Sequence, residues 1–507
     1  MLRFAVPKNL LTILLRSAGN PRAVLAMLTH PQYAAPVLAS PWAAPLRHGL
    51  PAFARDGSWT GSKKAIRRRF AHATLLVLLS CTAAAVSAAE SAGPLAFPGA
   101  QGWAAHTPGG RGGKIIRVTT LKAEGPGSFA EAVKTPGPRT VVFEVGGVID
   151  LERKELKITE PFLTIAGQTA PAPGITFIRG GLAIAAHDVV VRHIAVRPGE
   201  AGLSKRAGVD FDAINTVRGA YNVIVDHCSL TWATDENLSA SSTRFAGENE
   251  QEWMQNASRR ITFSNNLLAE GLANSTHGKG EHSKGSLIHD HVNDVLIVGN
   301  LYAHNYERNP LFKGGARGQV LNNLIYNPGQ RAVHYNLIAE EWAGHTPYST
   351  GQMILRGNVM RAGKDTETLA FFMIGGSGDM ELYAEDNRVV DRIGNALPQQ
   401  GRYTTTPIKL TELKRAPALP FGVQLLPSAQ VQDAVIATAG ARPWDRDPID
   451  RRIVADVIEG RGDIIDSEQE VGGYPKHKET RKPFVESDWN LDTMEPLKPY
   501  ERGEPLR

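Results

Sequence analysis

The most constraining feature of the chain is a column of polar residues that recurs behind short apolar runs. Val191-Arg192-His193-Ile194, Val225-Asp226-His227-Cys228, Ser264-Asn265-Asn266-Leu267, Val298-Gly299-Asn300-Leu301, Leu321-Asn322-Asn323-Leu324, Arg356-Gly357-Asn358-Val359 and Glu385-Asp386-Asn387-Arg388 superpose. The column falls at 193, 227, 266, 300, 323, 358 and 387, so successive copies lie 23 to 39 residues apart. Irregular repeats of this size predict a stacked solenoid whose loops vary in length. Asn has a physical reason to recur at an inward bend: it tolerates left-handed backbone, and its side chain can bond to the coil above or below as a ladder. Other runs, such as Val141-Val142-Phe143-Glu144-Val145 and Ile175-Thr176-Phe177-Ile178, are rich in the Val and Ile of strands. No long run of period 3.6 separates them, which argues against a βαβ sheet. The predicted fold is all-β: a right-handed parallel β-helix with long loops on one face and a C-terminal covering segment. A β-sandwich gives no reason for a column of identical bend residues.

Charge divides the 507 residues unevenly. Residues 1–88 hold 11 Lys/Arg and one Asp/Glu, leaving 45 basic and 50 acidic groups in the rest. The formal charge of +5 therefore belongs to the leader, and nucleic acid is not suggested as a partner. Lys63, Lys64, Arg67, Arg68 and Arg69 precede an apolar run around Leu75–Leu79, and Val86-Ser87-Ala88 has the small residues of a cleavage site. Residues 61–88 read as an export signal, so the mature chain is expected to be secreted, extracellular or periplasmic. Residues 1–60 read as an extension from a start codon assigned too far upstream; an unusually long leader is the other reading. Cys81 admits a lipoprotein anchor, although Leu79 before Ser80 suits that signal poorly. Downstream of Ala88 only Cys228 remains, so no disulfide is available. No run of 18 apolar residues suggests membrane insertion. The remaining organisation is read as a β-helix domain over 89–390, a covering segment over 391–475 and a charged, loosely ordered tail over 476–507, in a monomer.

The stretch richest in chemistry is Val209-Asp210-Phe211-Asp212, followed by Val225-Asp226-His227-Cys228-Ser229 and Ala233-Thr234-Asp235-Glu236. On an extended strand Asp210 and Asp212 face the same side. Asp235 and Glu236 come one repeat later and can stack beside them. Hard oxygen ligands converging on a rigid face make a calcium site; the same residues also read as a solvated acidic face.

Taken in order, Asp210-Phe211-Asp212, Asp226-His227-Cys228-Ser229, Ile261-Thr262-Phe263-Ser264-Asn265-Asn266 and Arg308-Asn309-Pro310 resemble the secreted bacterial pectate lyases of polysaccharide lyase family 1. So do the opening Phe97-Pro98-Gly99-Ala100, the glycine-rich 109–113, Gly125-Pro126-Gly127-Ser128 and the closing Glu470-Val471-Gly472-Gly473-Tyr474-Pro475. The resemblance spans about 95–475. It implies calcium-dependent β-elimination on polygalacturonate (pectin), with Arg308 of the Arg-x-Pro motif as the base. It implies Lys284 and Lys313 as substrate-binding cations, with Lys279 competing for the role of Lys284. It implies Asp210, Asp212 and Asp235 as Ca2+ ligands. The family's fourth ligand position falls on Ser239, so either Glu236 substitutes or the site is weaker than the family's. Leu311 stands where the family commonly repeats Arg, and Lys313 where it has a second Arg; Lys keeps the charge but not bidentate geometry.

Other residues carry blander readings. His227 is expected beside the strand bend and Cys228 in the core, while His282 and His304 read either as groove-lining residues or as solvated loop ones. Trp232 reads equally as a sugar platform or a partly buried surface residue. Three other functions compete: a β-helix lyase for another uronate polymer or methylated pectin, a non-catalytic carbohydrate-binding solenoid, and a glycoside hydrolase. The last would want paired carboxylates flanking the scissile bond; here Arg and Lys follow the acidic cluster.

Overall fold

The computed structural model describes residues 93–499; the extension and export signal read over 1–88 lie outside the described residues. Strands three apart in chain order are hydrogen-bonded neighbours, the signature of a chain that lays down three strands per coil. The first sheet has eleven strands, from Lys114–Val118 to Leu410–Glu412. The second has nine, from Leu156–Ile158 to Gln400–Arg402, and the third has ten. Every pairing within them is parallel except that of Val145–Asp150 with Thr480–Arg481. This is a parallel β-helix.

Its interior is a set of stacked apolar columns. Val141, Ile165, Val191, Val225, Phe263, Ile297, Val320 and Leu355 are in register from coil to coil, each with no exposed surface. Burying such a side chain contributes roughly 1.5–3 kcal/mol. At the N-terminal end Ser128 caps the helix Phe129–Lys134, and Phe129 packs against Phe143 and Phe177 inside the first coils.

The Asn ladder exists, with one shift of register. Asn266, Asn300, Asn323 and Asn358 each donate both backbone N–H and side-chain Nδ2 to the Oδ1 of the next Asn, at 2.9–3.1 Å, ending on Asn387. The left-handed backbone belongs to the residue before: Asn265, Gly299, Asn322, Gly357 and Asp386 have φ of 51–68°. His193 and His227 share that left-handed position, with φ of 59° and 49°. The residue in line with the ladder is therefore Cys228, whose N–H donates to Asn266 Oδ1 at 2.8 Å, and not His227. The two jobs ascribed to one Asn are divided between neighbours, because a side chain turned inward cannot also sit on the outward left-handed residue.

The solenoid runs beyond 390, since Gln400–Arg402 and Leu410–Glu412 still pair parallel with the coil before them. Beyond it, the helices Ser428–Thr438 and Pro448–Glu459 set Val431, Val435, Ile453, Val454 and Val457 on Leu267, Leu301 and Leu324, covering the third sheet. The segment read as a loose tail also packs: Phe484 and Met494 are buried against Val142 and Ala166 of the first sheet. Charge and proline suggested a solvated tail, but these two apolar residues anchor it. On the outer side of the second sheet, charged residues gather instead.

Candidate active site

Ahead of the second-sheet strands Ile214–Thr216 and Leu238–Ala240, which pair in register, lie Asp212 and Glu236. Glu236 is bridged to Lys284, and Lys284 to Glu307, so Asp212, Glu236, Lys284 and Glu307 form one charged row along the solenoid. The Glu236 N–H donates to Asp212 Oδ1 at 2.8 Å, and Asn215 Nδ2 to Asp212 Oδ2 at 2.8 Å. One carboxylate oxygen from each of Asp212, Asp235 and Glu236 lies within 4.8 Å of the others. Three hard oxygen donors that close fit a calcium ion. Burial, then the neighbouring Asp235 charge, pushes the Asp212 carboxyl well above the ordinary range.

Asp210 is not within that distance of all three, but its charge still reaches Asp212 and His277. It precedes the strand on an exposed loop, so the same-face rule for extended chain does not apply to Asp210 and Asp212. Ser239, at the family's fourth ligand position, is fully buried, and its hydroxyl donates to Glu236 Oε2 at 3.4 Å.

Arg308 occupies an extra residue in the ladder. Lys284 is bridged to Glu307 while Leu287 pairs with Leu311, so two residues on one coil face three on the next. Within this β-bulge Arg308 takes the left-handed conformation, with φ of 62°. Re-aimed in this way, its guanidinium forms an ion pair with Glu236. Burial holds Arg308 below its ordinary value and nearby Arg331 adds to that, against the opposing pull of Asp235 and Asp212.

The two lysines are differently placed. Lys284 is buried beside Arg308 and donates to Glu307. Lys313 ends the strand Leu311–Lys313 and pairs with Glu341 at 2.5 Å, in a second charge group with Arg244 and Asp290. Arg331 stands closer to the base: it too is bound by Glu307, and its guanidinium lies 4.8 Å from the centroid of the Tyr403 ring. Burial opposes the ionisation of Glu307, but Lys284, His334 and Arg331 together hold it at about 2.

His282 is not a solvated loop residue. It is buried, its Nε2 lies 2.7 Å from Asp235 Oδ1, and its ring stacks on His277 at 3.8 Å between centroids. Burial opposes ionisation of Asp235, but the His282 hydrogen bond together with the charges of His282, Arg308 and His277 leaves that carboxyl lowered. His304 is also fully buried, as is Trp232, whose Nε1–H donates to Glu270 at 2.9 Å; neither can stack on a sugar. His227 packs at the bend with Nδ1 2.7 Å from Asp226, and Cys228 is a core residue. Arg331, Glu307 and His277 escaped the sequence reading, and His282 entered it as a groove or loop residue without a partner. One signal was present for Arg331: it follows Arg308 by 23 residues, the interval separating Asn300 from Asn323.

No protein-family model matches the chain. Solved structures similar to it include a thermostable pectate lyase, 15% identical with a TM-score of 0.48, covering 69% of this chain and 99% of that one. Another is the major allergen of cedar pollen, 16% identical with a TM-score of 0.45, covering 67% and 92%. Among curated relatives, a probable pectate lyase C of Emericella nidulans is 35% identical over 298 residues, 58% of this chain and 59% of the relative. The chain spans about 60% of the length of the first curated relatives it matches. A probable pectate lyase C of Aspergillus terreus is 32% identical over 402 residues, covering 78% of this chain and 84% of the relative. With that extent of shared sequence, the chain belongs to the pectate lyase family.

Proposed function

We propose that the chain is an exported, monomeric, calcium-dependent pectate lyase that cuts polygalacturonate by β-elimination, yielding oligogalacturonides with a 4,5-unsaturated end. The observation that carries this reading is the bulge that sets Arg308 against Asp212, Asp235 and Glu236. Eliminating across a 4-linked uronide removes the proton on C5, forms the C4–C5 double bond and expels the oxygen on C4. The C5 proton is weakly acidic, because the adjacent carboxylate opposes a developing carbanion.

Asp212, Asp235 and Glu236 would hold the calcium, which supplies positive charge to the substrate carboxylate as negative charge develops. Arg308 accepts the C5 proton. A guanidinium is ordinarily too basic for that, and here burial and Arg331 favour its neutral form. Lys284 and Lys313 are the proposed contacts for substrate carboxylates. In the free protein both are satisfied by Glu307 and Glu341, which the substrate has to displace. Fully methylated pectin would present no carboxylates, leaving this acidic and basic row without a partner. The test is growth of ultraviolet absorbance from the unsaturated product, using polygalacturonate and methylated pectin, each with calcium and with chelator. Calcium-dependent growth on polygalacturonate is expected; equal growth with chelator overturns the metal reading, and no growth overturns the lyase reading.

A further inference from the structure

We propose that Glu236 is shared between two cations: it tethers Arg308 in the metal-free protein, and a divalent cation entering beside Asp212 and Asp235 takes it over and releases Arg308 toward the substrate. The inference rests on the calcium reading above. Glu236 is thus a positioning residue for Arg308 as well as a metal ligand.

Glu236 belongs to both groups at once. Its carboxylate is one of the three clustered acidic groups and is also the ion-pair partner of Arg308. Its side chain is 4% exposed, and in this dry setting a carboxylate keeps a counter-ion. Asp235 has His282 as its nearest polar partner and Asp212 has Asn215, while Arg308 contacts the cluster through Glu236. Arg308 also has a buried Nε with no hydrogen-bond partner, 4.0 Å from Glu307 Oε1, so Glu236 is its one close contact while Glu307 attracts it from a distance.

The backbone allows the exchange without a larger movement. The Glu236 N–H is fixed on Asp212 and its neighbour Asn237 is hydrogen-bonded into the next coil, so only the side-chain torsions of Glu236 need change. Its carboxylate would turn from the guanidinium toward the two Asp groups. A divalent cation held by Asp212, Asp235 and Glu236 would offset most of the negative charge that holds the guanidinium and would compete with its single charge for Glu236. Arg308 would then be free in the groove only when the metal needed for the reaction is present. Linkage makes the effect reciprocal: what weakens the Arg308 tether must strengthen metal binding.

The experiment is a double-mutant cycle read by calorimetric titration of calcium into the full chain: unmodified, Arg308→Gln, Glu236→Gln and both together. Arg308→Gln should tighten calcium binding about tenfold when Glu236 is present and much less when it is Gln, a coupling of the size neighbouring sites show. A second measurement needs no change at Arg308: its labelling by phenylglyoxal, followed by mass spectrometry. Calcium should speed labelling in the unmodified chain and leave it unchanged in Glu236→Gln. Equal effects of Arg308→Gln in both backgrounds, or labelling indifferent to calcium, overturn the sharing while leaving the lyase reading standing. Failure of the unmodified chain to bind calcium overturns the calcium reading and the sharing with it.

Discussion

Arg308 is ion-paired with Glu236, 72 residues earlier and two coils away along the solenoid, and both side chains are largely buried. The pair joins the proposed base to the proposed metal ligands, as the chemistry demands. The C5 proton and the carboxylate of one sugar lie within a single residue's span, so base and metal must act within that span too.

His282 should matter through Asp235. Its imidazole fixes the carboxylate that the metal would use, and losing such an orienting partner costs metal affinity roughly 10–100-fold. His282→Ala should therefore weaken calcium binding by that order while leaving turnover at saturating calcium near normal. Titration of activity against calcium separates the two; a fall in turnover that calcium cannot restore would count against the orienting role.

Asn300 should matter for stability alone. It is fully buried, its N–H and Nδ2 donate to Asn323, and its Oδ1 accepts two bonds from Asn266. Asn300→Ala strands buried donors on Asn266, at about 1–3 kcal/mol for each unsatisfied group. The denaturant midpoint should fall accordingly, with calcium affinity unchanged.

Acid should destabilise the protein through buried histidines. Burial is the main cause that holds His289 and His291 at about 4, whereas an unfolded His titrates near about 6.5. Between these values the unfolded chain binds more protons than the folded one, so stability rises with pH up to about 6.5 and is lost as pH falls toward about 4. Unfolding midpoints at several pH values should show that slope, and His291→Phe should flatten it. A midpoint indifferent to pH across this window would contradict the assignment.

The solenoid was legible because its periodicity is written in one residue type. Asn300, Asn323 and Asn358 occupy the ladder as their spacing implied. The His193 and His227 positions slipped by one because matching letters aligned polarity, whereas backbone conformation aligns them with Asn265 and Gly299. The acidic group was legible in part. Asp212, Asp235 and Glu236 converge through coil stacking, but whether Asp210 lay on strand or loop was decided by tertiary pairing. Lys313 was named a substrate contact from the family motif, and in the free protein it pairs with Glu341. Arg331 is 23 residues from Arg308 and shares Glu307 with Lys284. In a solenoid, one coil brings residues nearer than a few steps along a strand. Which carboxylate each cation would find, Glu307 for Lys284 and Glu341 for Lys313, left no mark in local sequence.

The most direct test is product formation from polygalacturonate by Arg308→Ala, with calcium present and folding confirmed by the unfolding midpoint. The account predicts a loss of turnover of at least roughly 10²–10⁴-fold, the scale of a removed general base, with calcium still bound. Near-normal turnover in the folded variant would contradict it: Arg308 would then be only a bulge residue holding Glu236, and the base would lie elsewhere.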